Sequence, residues 1–125
     1  MLQSQEIIAF VPTRDAAKAK EFFEGKLGLR FVSDDKFALV FDANGSMLRV
    51  VRAPHFVPLP FTILGWKVSE IEKIVPQMRS KGVKFEIFEG LGQDEMGIWT
   101  APGGTAKVAW FKDPDGNVLS VSQHE

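Results

Sequence analysis

The sequence predicts an α+β fold made of one unit used twice. Residues 6–52 and 62–124 each read as strand, short helix, glycine and three further strands. Between them lies the only linker-like stretch, 53–61, which carries Pro54, Pro58 and Pro60. The third observation is physical: a single helix cannot cover both faces of the sheet in its own half, so pairing of the halves is expected. The chain is read as one domain, 1–125, of two βαβββ modules, about 6–52 and about 62–124.

Glu6–Pro12 is a short apolar run closed by proline and reads as a strand. Asp15 is the expected N-cap of a helix over Ala16–Lys26, whose stripe is Ala16, Ala19, Phe23 and Leu27 with Phe22 alongside; Gly28 ends it. Strands follow at Leu29–Ser33, Phe37–Phe41 and Met47–Val51, the last two joined through Asn44-Gly45. In the second half Thr62–Val68 is a strand and Ser69-x-x-Glu72 has the form of a capping box. Ile71, Ile74, Val75 and Met78 have helical spacing, but Pro76 inside a helix costs about 3 kcal/mol. A single turn at Glu70–Lys73 and a helix restarting near Val75 is therefore expected. Val83–Phe88 alternates as a strand, Gly90–Gly97 is a loop and Ile98–Thr100 is extended. Val108–Phe111 and Val118–Val121 form a closing hairpin around Asp113-Pro114-Asp115-Gly116-Asn117.

Composition narrows the function. At 125 residues with 45% hydrophobic and 25% charged content, the chain has the make-up of a globular domain. A net charge of −1 gives no field favouring nucleic acid or an anionic membrane. Neither a membrane-spanning apolar stretch nor a signal peptide is read, so a cytoplasmic location is the default. Cysteine is absent, which excludes disulfides, thiolate metal sites and cysteine nucleophiles; tyrosine is absent too.

The element order, the segment FKDPDGNVLSV and the spacing Asp15…Phe22-Phe23…Leu27-Gly28-Leu29 resemble the vicinal oxygen chelate superfamily, which includes glyoxalase I, bleomycin-resistance proteins, fosfomycin-resistance enzymes and extradiol dioxygenases. The likeness covers about residues 6–123, and GIWTAPGGTAKVAWFKDPDGN is similar to a common single-module subgroup. The resemblance implies paired βαβββ modules whose curled mixed sheet forms an open cleft, in a homodimer. Enzymes of the superfamily hold a divalent metal by His, Gln or Glu on cleft-facing strands. Carried over, those positions fall on Ile8, Ile63, Ser120 and Arg49 or Val50. Isoleucine has no donor atom, arginine is a permanent cation and serine is a poor ligand, so no metal and no cofactor are expected. Moving the register by one, to Ile7, Ala9, Leu64 and Leu119, supplies no donors either. His55 and His124 stand apart from any ligand spacing.

Alternation places Ile8, Phe10, Ile63, Gly65, Lys67, Val118, Ser120 and Ser122 toward the cleft, and Leu64, Trp66, Val68, Leu119 and Val121 under the helices. Phe10, Phe41, Trp99 and Trp110 are candidate aromatic walls, although large apolar residues are more often packing. Lys67 is a candidate anion holder or nucleophile against the plainer reading of a strand-end lysine reaching water. Arg49 and Arg52 are a candidate carboxylate clamp against plain solvation. Asp94-Glu95 reads as a surface loop. Gly90-x-Gly92 lacks the third glycine and the helix of a dinucleotide fingerprint, and there is no nucleophile elbow. The favoured reading is a metal-free member that binds a small, partly apolar molecule with Ile8, Phe10, Arg49, Ile63, Lys67, Trp99, Trp110 and Ser120, and binds neither nucleic acid nor membrane. No catalytic residue is assigned. The alternatives are a glyoxalase-like lyase or isomerase, or dioxygenase-related enzyme, with an atypical site, and a dimeric interaction module without ligand.

Overall fold

A computed structural model describes residues 1–125 as two compact units, Met1–Val57 and Pro58–Glu125, divided inside the proline-rich stretch. Both are α+β, each with one four-stranded mixed sheet. No helix is long and apolar enough to cross a membrane.

In the first unit β1 (Ile8–Thr13), α1 (Ala16–Lys20), β2 (Arg30–Asp34), β3 (Ala38–Ala43) and β4 (Ser46–Arg52) follow one another. The sheet order is β1-β4-β3-β2, with β1 parallel to β4 and the other pairs antiparallel. Asp15 caps α1 as expected, accepting at Oδ1 from the Lys18 N–H at 3.1 Å. The predicted α-helix does not run to Lys26, because Glu21–Lys26 widens into a π-helical turn closed by Leu27 N–H donating to Phe22 O. The packing gives a reason. Phe22 and Phe23 are sequence neighbours and both are buried, with rings edge to face at 5.3 Å. A wider turn reduces the angle between consecutive side chains, so both rings reach one core.

Phe23 packs on Phe41 at 5.9 Å and Phe41 on Phe31 at 5.7 Å, beside the buried Val11, Leu39, Leu48 and Val50. Each fully buried ring of this kind contributes roughly 1.5–3 kcal/mol. Phe41 is thus a core residue under the helix and not the aromatic wall expected of it. Asn44 and Gly45, both at positive φ, turn β3 into β4 as the sequence predicts.

The second unit runs β5 (Thr62–Lys67), α2 (Ile71–Ser80), β6 (Trp99–Thr100), β7 (Ala106–Lys112) and β8 (Val118–His124), in the order β5-β8-β7-β6, again with its first strand parallel to its last. Three expectations need correction. The helix does not break at Pro76: α2 is continuous, and Pro76 lies on its exposed side. On that side water can serve the Glu72 carbonyl that loses its N–H partner. The Ser69 capping box does not form, since Glu70 is the N-cap without a side-chain bond. Gln123 Oε1 of β8 instead accepts from Ile71 N–H at 2.9 Å, tying the helix start to the sheet. Val83–Phe88 is not a strand. It touches β7 by a bridge between Phe85 and Phe111 and by Glu86 N–H to Trp110 O at 2.8 Å, after which the chain loops out and returns as β6.

The turn between β7 and β8 is buried, with Asp113, Asp115 and Asn117 among the few buried polar residues. Asp113 Oδ1 accepts from the N–H groups of Asp115 (3.0 Å) and Asn117 (2.9 Å), and Oδ2 from Asn117 Nδ2 (2.9 Å). Burial pushes the Asp113 carboxyl above its ordinary pKa, and the donors from Asn117 oppose it. Gly116 has φ +88°, and a Cβ there would stand 3.4 Å from Pro58 Cγ. Gly116→Val is expected to destabilise the protein by about 1–3 kcal/mol in urea titration; an unchanged midpoint would contradict this turn geometry.

Candidate functional site

Register fixes what the second sheet presents on the face away from its buried apolar side. Gly65 of β5, Ser120 of β8 and Trp110 of β7 form one row, and Lys67, Ser122, Val108 and Trp99 the next. Trp99 and Trp110 lie with ring centres 6.0 Å apart, and Phe88 meets Trp110 edge to face at 5.6 Å. Three aromatic rings therefore form one platform beside a polar file of Ser120, Ser122 and His124, whose Nε2 is 2.9 Å from Ser122 Oγ. Trp66 belongs to the other face, stacked on Phe111 at 6.3 Å, as alternation predicts.

The loop holding Phe88 is tied to itself by two side chains. Gln93 Oε1 accepts from Phe88 N–H at 2.7 Å, while Nε2 donates to Glu86 O at 2.9 Å and Gly97 O at 2.8 Å. Asp94 Oδ1 accepts from Met96 and Ile98 N–H groups, both at 2.9 Å. Sequence reasoning named Asp94 only as part of a surface loop and missed Gln93 and Phe88. A glutamine that spans its own loop leaves no spacing signal.

Ile63 lies at an irregularity of its strand. The pairing of β5 with β8 slips between Thr62 and Leu64, leaving Ile63 in a bulge without a cross-strand partner, and Gly65 is the residue beside Ser120. Lys67 is exposed at the end of edge strand β5 and makes no ion pair or hydrogen bond. It borders a shallow groove of about 380 Å³ at the start of α2, with Ser69, Lys73 and Gln77.

In the first unit Ile8 and Phe10 of β1 share a face with Met47 and Arg49 of β4, and Phe10 is 59% exposed. Ile8 and Met47 also line a groove of about 670 Å³ together with Arg30, Val32 and Asp42. Arg49 and Arg52 do clamp carboxylates, but those of their own chain. Arg49 Nη2 donates to Asp35 Oδ2 at 2.8 Å, and Arg52 donates through two nitrogens to both oxygens of Asp34, each at 2.8 Å. The Arg52 bonds, with the Lys36 N–H, lower Asp34 to about pKa 2; the Arg49 bond lowers Asp35.

The side chains at the positions where the resemblance puts metal donors do not fit a divalent cation. Ile8 and the bulged Ile63 are hydrocarbon, Val50 is core, Arg49 is bound to Asp35 and Ser120 offers one neutral hydroxyl. Nowhere does the chain gather three or more His, Cys, Asp or Glu side chains around a common point.

The sequence matches the family described as Glyoxalase/Bleomycin resistance protein/Dioxygenase superfamily over residues 7–121. No curated protein matches it. Among solved structures it is similar to a glyoxalase/bleomycin resistance protein/dioxygenase from Nocardioides, with a TM-score of 0.74 and 17% identity, covering 98% of this chain and 84% of that one. A second of that description, from Alicyclobacillus acidocaldarius, gives a TM-score of 0.69 at 17% identity over 97% and 92%. The genomically encoded fosfomycin resistance protein FosX from Listeria monocytogenes gives 0.74 at 10% identity over 98% and 94%. At such identities the likeness is one of fold.

The paired carboxylates set a pH window. Because the folded pKa of Asp34 is depressed to about 2, its contribution is present above the unfolded value near 3.8 and is lost as pH falls toward 2. Arg52→Gln is expected to lower urea stability near neutral pH, with the gap to wild type closing between about pH 5 and pH 2. Denaturant titrations across that range check this; a gap that persists at the acid end would assign Arg52 a packing role instead.

Proposed function

From a chain that belongs to the glyoxalase/bleomycin resistance protein/dioxygenase superfamily, we propose a metal-free binding protein that holds a small, partly apolar molecule on the strand face of its second module. The observation that carries this reading is the Trp99, Trp110 and Phe88 platform, fixed by Gln93, beside the hydroxyls of Ser120 and Ser122, where His124 is the one imidazole and no group of three or more metal-binding side chains gathers. Flat rings in contact with one another, next to a few polar groups, suit a ligand that is mostly apolar and carries limited hydrogen-bonding capacity. Lys67, a cation without a partner in its chain, supports an anionic substituent on that ligand. Ile8, Phe10 and Arg49, which share a strand face of the first unit, are proposed as ligand contacts of that unit by itself. The same reading includes a homodimer. Catalysis is the second reading and rests on Lys67 alone, since Arg49 is engaged with Asp35.

Metal analysis by mass spectrometry of protein purified without chelator, repeated after reloading with nickel, zinc, manganese and iron, is the direct test. The expected result is no stoichiometric metal and no thermal stabilisation on reloading, with stabilisation by members of a set of aromatic amphipathic compounds. A ligand at a hundred times its Kd adds about 2.7 kcal/mol, enough for a clear shift in Tm, and Trp110→Ala should abolish that shift. Stoichiometric metal, or no binder in the set, would overturn the proposal.

A further inference from the structure

The C-terminal end of α2 turns the chain sharply back toward its sheet. Gly82, at φ +93°, donates its N–H to Arg79 O, and Val83 N–H donates to Met78 O, so both carbonyls are served where the helix stops. Phe85 then packs edge to face on Phe111 at 5.5 Å, on the buried side of the sheet and away from the face that carries Trp110. The returning limb of the loop closes against this one at Gly97. Its φ is +88°, and a Cβ there would stand 3.3 Å from Phe85 Cβ and 3.5 Å from Ile87 Cδ1. Glycine lets the two limbs approach. Along them, and against the last turn of α2, runs a groove of about 490 Å³, which shares no residue with the aromatic platform. That volume is within the range of small-molecule sites.

The groove divides by chemistry. Phe85, Ile87 and Met96 make it apolar, and Ile87 is left 65% exposed. Its rim carries Arg79, Lys84 and Glu95, two cations against one carboxylate, which leaves one positive charge. Glu95 borders the same groove as Arg79, yet the two form no ion pair. The one hydrogen bond of the guanidinium goes from Nη1 to Met96 Sδ, at 2.8 Å. A thioether is a weak acceptor, and a guanidinium has five N–H donors in a flat fork that matches the two oxygens of a carboxylate. Arg49 and Arg52 show the contrast, since each is already bound to an aspartate. A cation in the last turn of a helix has a plainer role in serving the free carbonyls there. At this helix end the Gly82 and Val83 N–H groups already serve Arg79 O and Met78 O.

We propose that this groove is a second ligand site, which takes an apolar-tailed monocarboxylate of the medium-chain fatty acid class. The tail lies along Ile87, Phe85 and Met96, and the carboxylate accepts paired N–H bonds from Arg79. On binding, a charged acceptor replaces the Met96 sulfur as the partner of Arg79, and the thioether is left facing the tail, a contact that sulfur makes readily. Arg79 selects against a neutral head group. Glu95 selects against a doubly charged one, because it repels a dianion twice as strongly as a monoanion. The site is independent of the platform and of the ligand proposed there.

The test uses the full chain with octanoate, octan-1-ol and octyl phosphate in titration calorimetry, at a pH of about 8 where the phosphate is doubly charged. Wild type is expected to bind octanoate about tenfold more tightly than octan-1-ol, the effect of a charge-assisted pair, and more tightly than octyl phosphate. Arg79→Gln should lower octanoate affinity about tenfold and leave octan-1-ol unchanged, whereas Ile87→Ser should weaken both. Both residues are exposed, so the variants should melt with wild type. Trp110→Ala, which removes the platform, should bind octanoate as wild type does. Equal affinity for octanoate and octan-1-ol, tighter binding of octyl phosphate, or octanoate binding undiminished in Arg79→Gln overturns the assignment. Octanoate binding lost in Trp110→Ala puts the anion on the platform and overturns the groove. No binding of octanoate overturns the groove and leaves the platform reading standing.

Discussion

The Asp113 carboxylate is the group on which the second sheet's geometry hangs. By accepting from two backbone N–H groups and the Asn117 amide inside a buried turn, it fixes where β7 stops and β8 starts. That sets the register of the pair, and β8 in turn sets β5. Side chains alternate along a strand with a period of two, so a slip of one residue would turn Ser120 and Trp110 inward and expose Leu119 and Phe111. The alignment of Gly65, Ser120 and Trp110 across three strands is thus a consequence of a turn at the end of the sheet.

The larger features were legible in the sequence because each had a local cause. Asp15 capped its helix, Asn44-Gly45 made a hairpin, and Leu119 and Val121 alternated away from Ser120. Legibility failed where the deciding partner was distant. The start of α2 is capped by Gln123, far along the chain, where Ser69 had the right local spacing. Pro76 is tolerated because its side of the helix faces water, a fact of burial and not of propensity. The edge of the second sheet looked like a continuous strand at Val83–Phe88, yet only Phe85 and Glu86 bond to β7 before Gln93 claims the backbone that follows.

The site was partly readable for the same reasons. Ser120 was placed on the cleft face by alternation, Trp99 and Trp110 were named as candidate aromatic walls, and the structure brings Trp99 and Trp110 together. No residue pattern announces the bulge that leaves Ile63 without a cross-strand partner, and Phe41 was misplaced because a helix covers its face. Arg49 and Arg52 show how sequence alone misassigns charge: a guanidinium that looks ready for a ligand is already bound to Asp35 or Asp34 across its own sheet. Alternation put Gly65 on the same face, but the closeness of its absent Cβ to the Ser120 hydroxyl is a matter of three-dimensional packing that no pattern supplies.

In both units the first strand pairs in parallel with the last, β1 with β4 and β5 with β8. A hairpin such as β3–β4 or β7–β8 can form from neighbours, but the remaining strand joins only when two distant parts of its unit meet. The loop-closure entropy of that encounter is lost before any contact rewards it. Each unit thereby combines a local pairing with a distant one, and in the second unit Gly65 belongs to the distantly paired strand. The close approach of Gly65 to Ser120 exists only when that strand is in place, so a chain with β7 and β8 alone paired carries Trp110 and Ser120 side by side but lacks the neighbour on the other flank of Ser120.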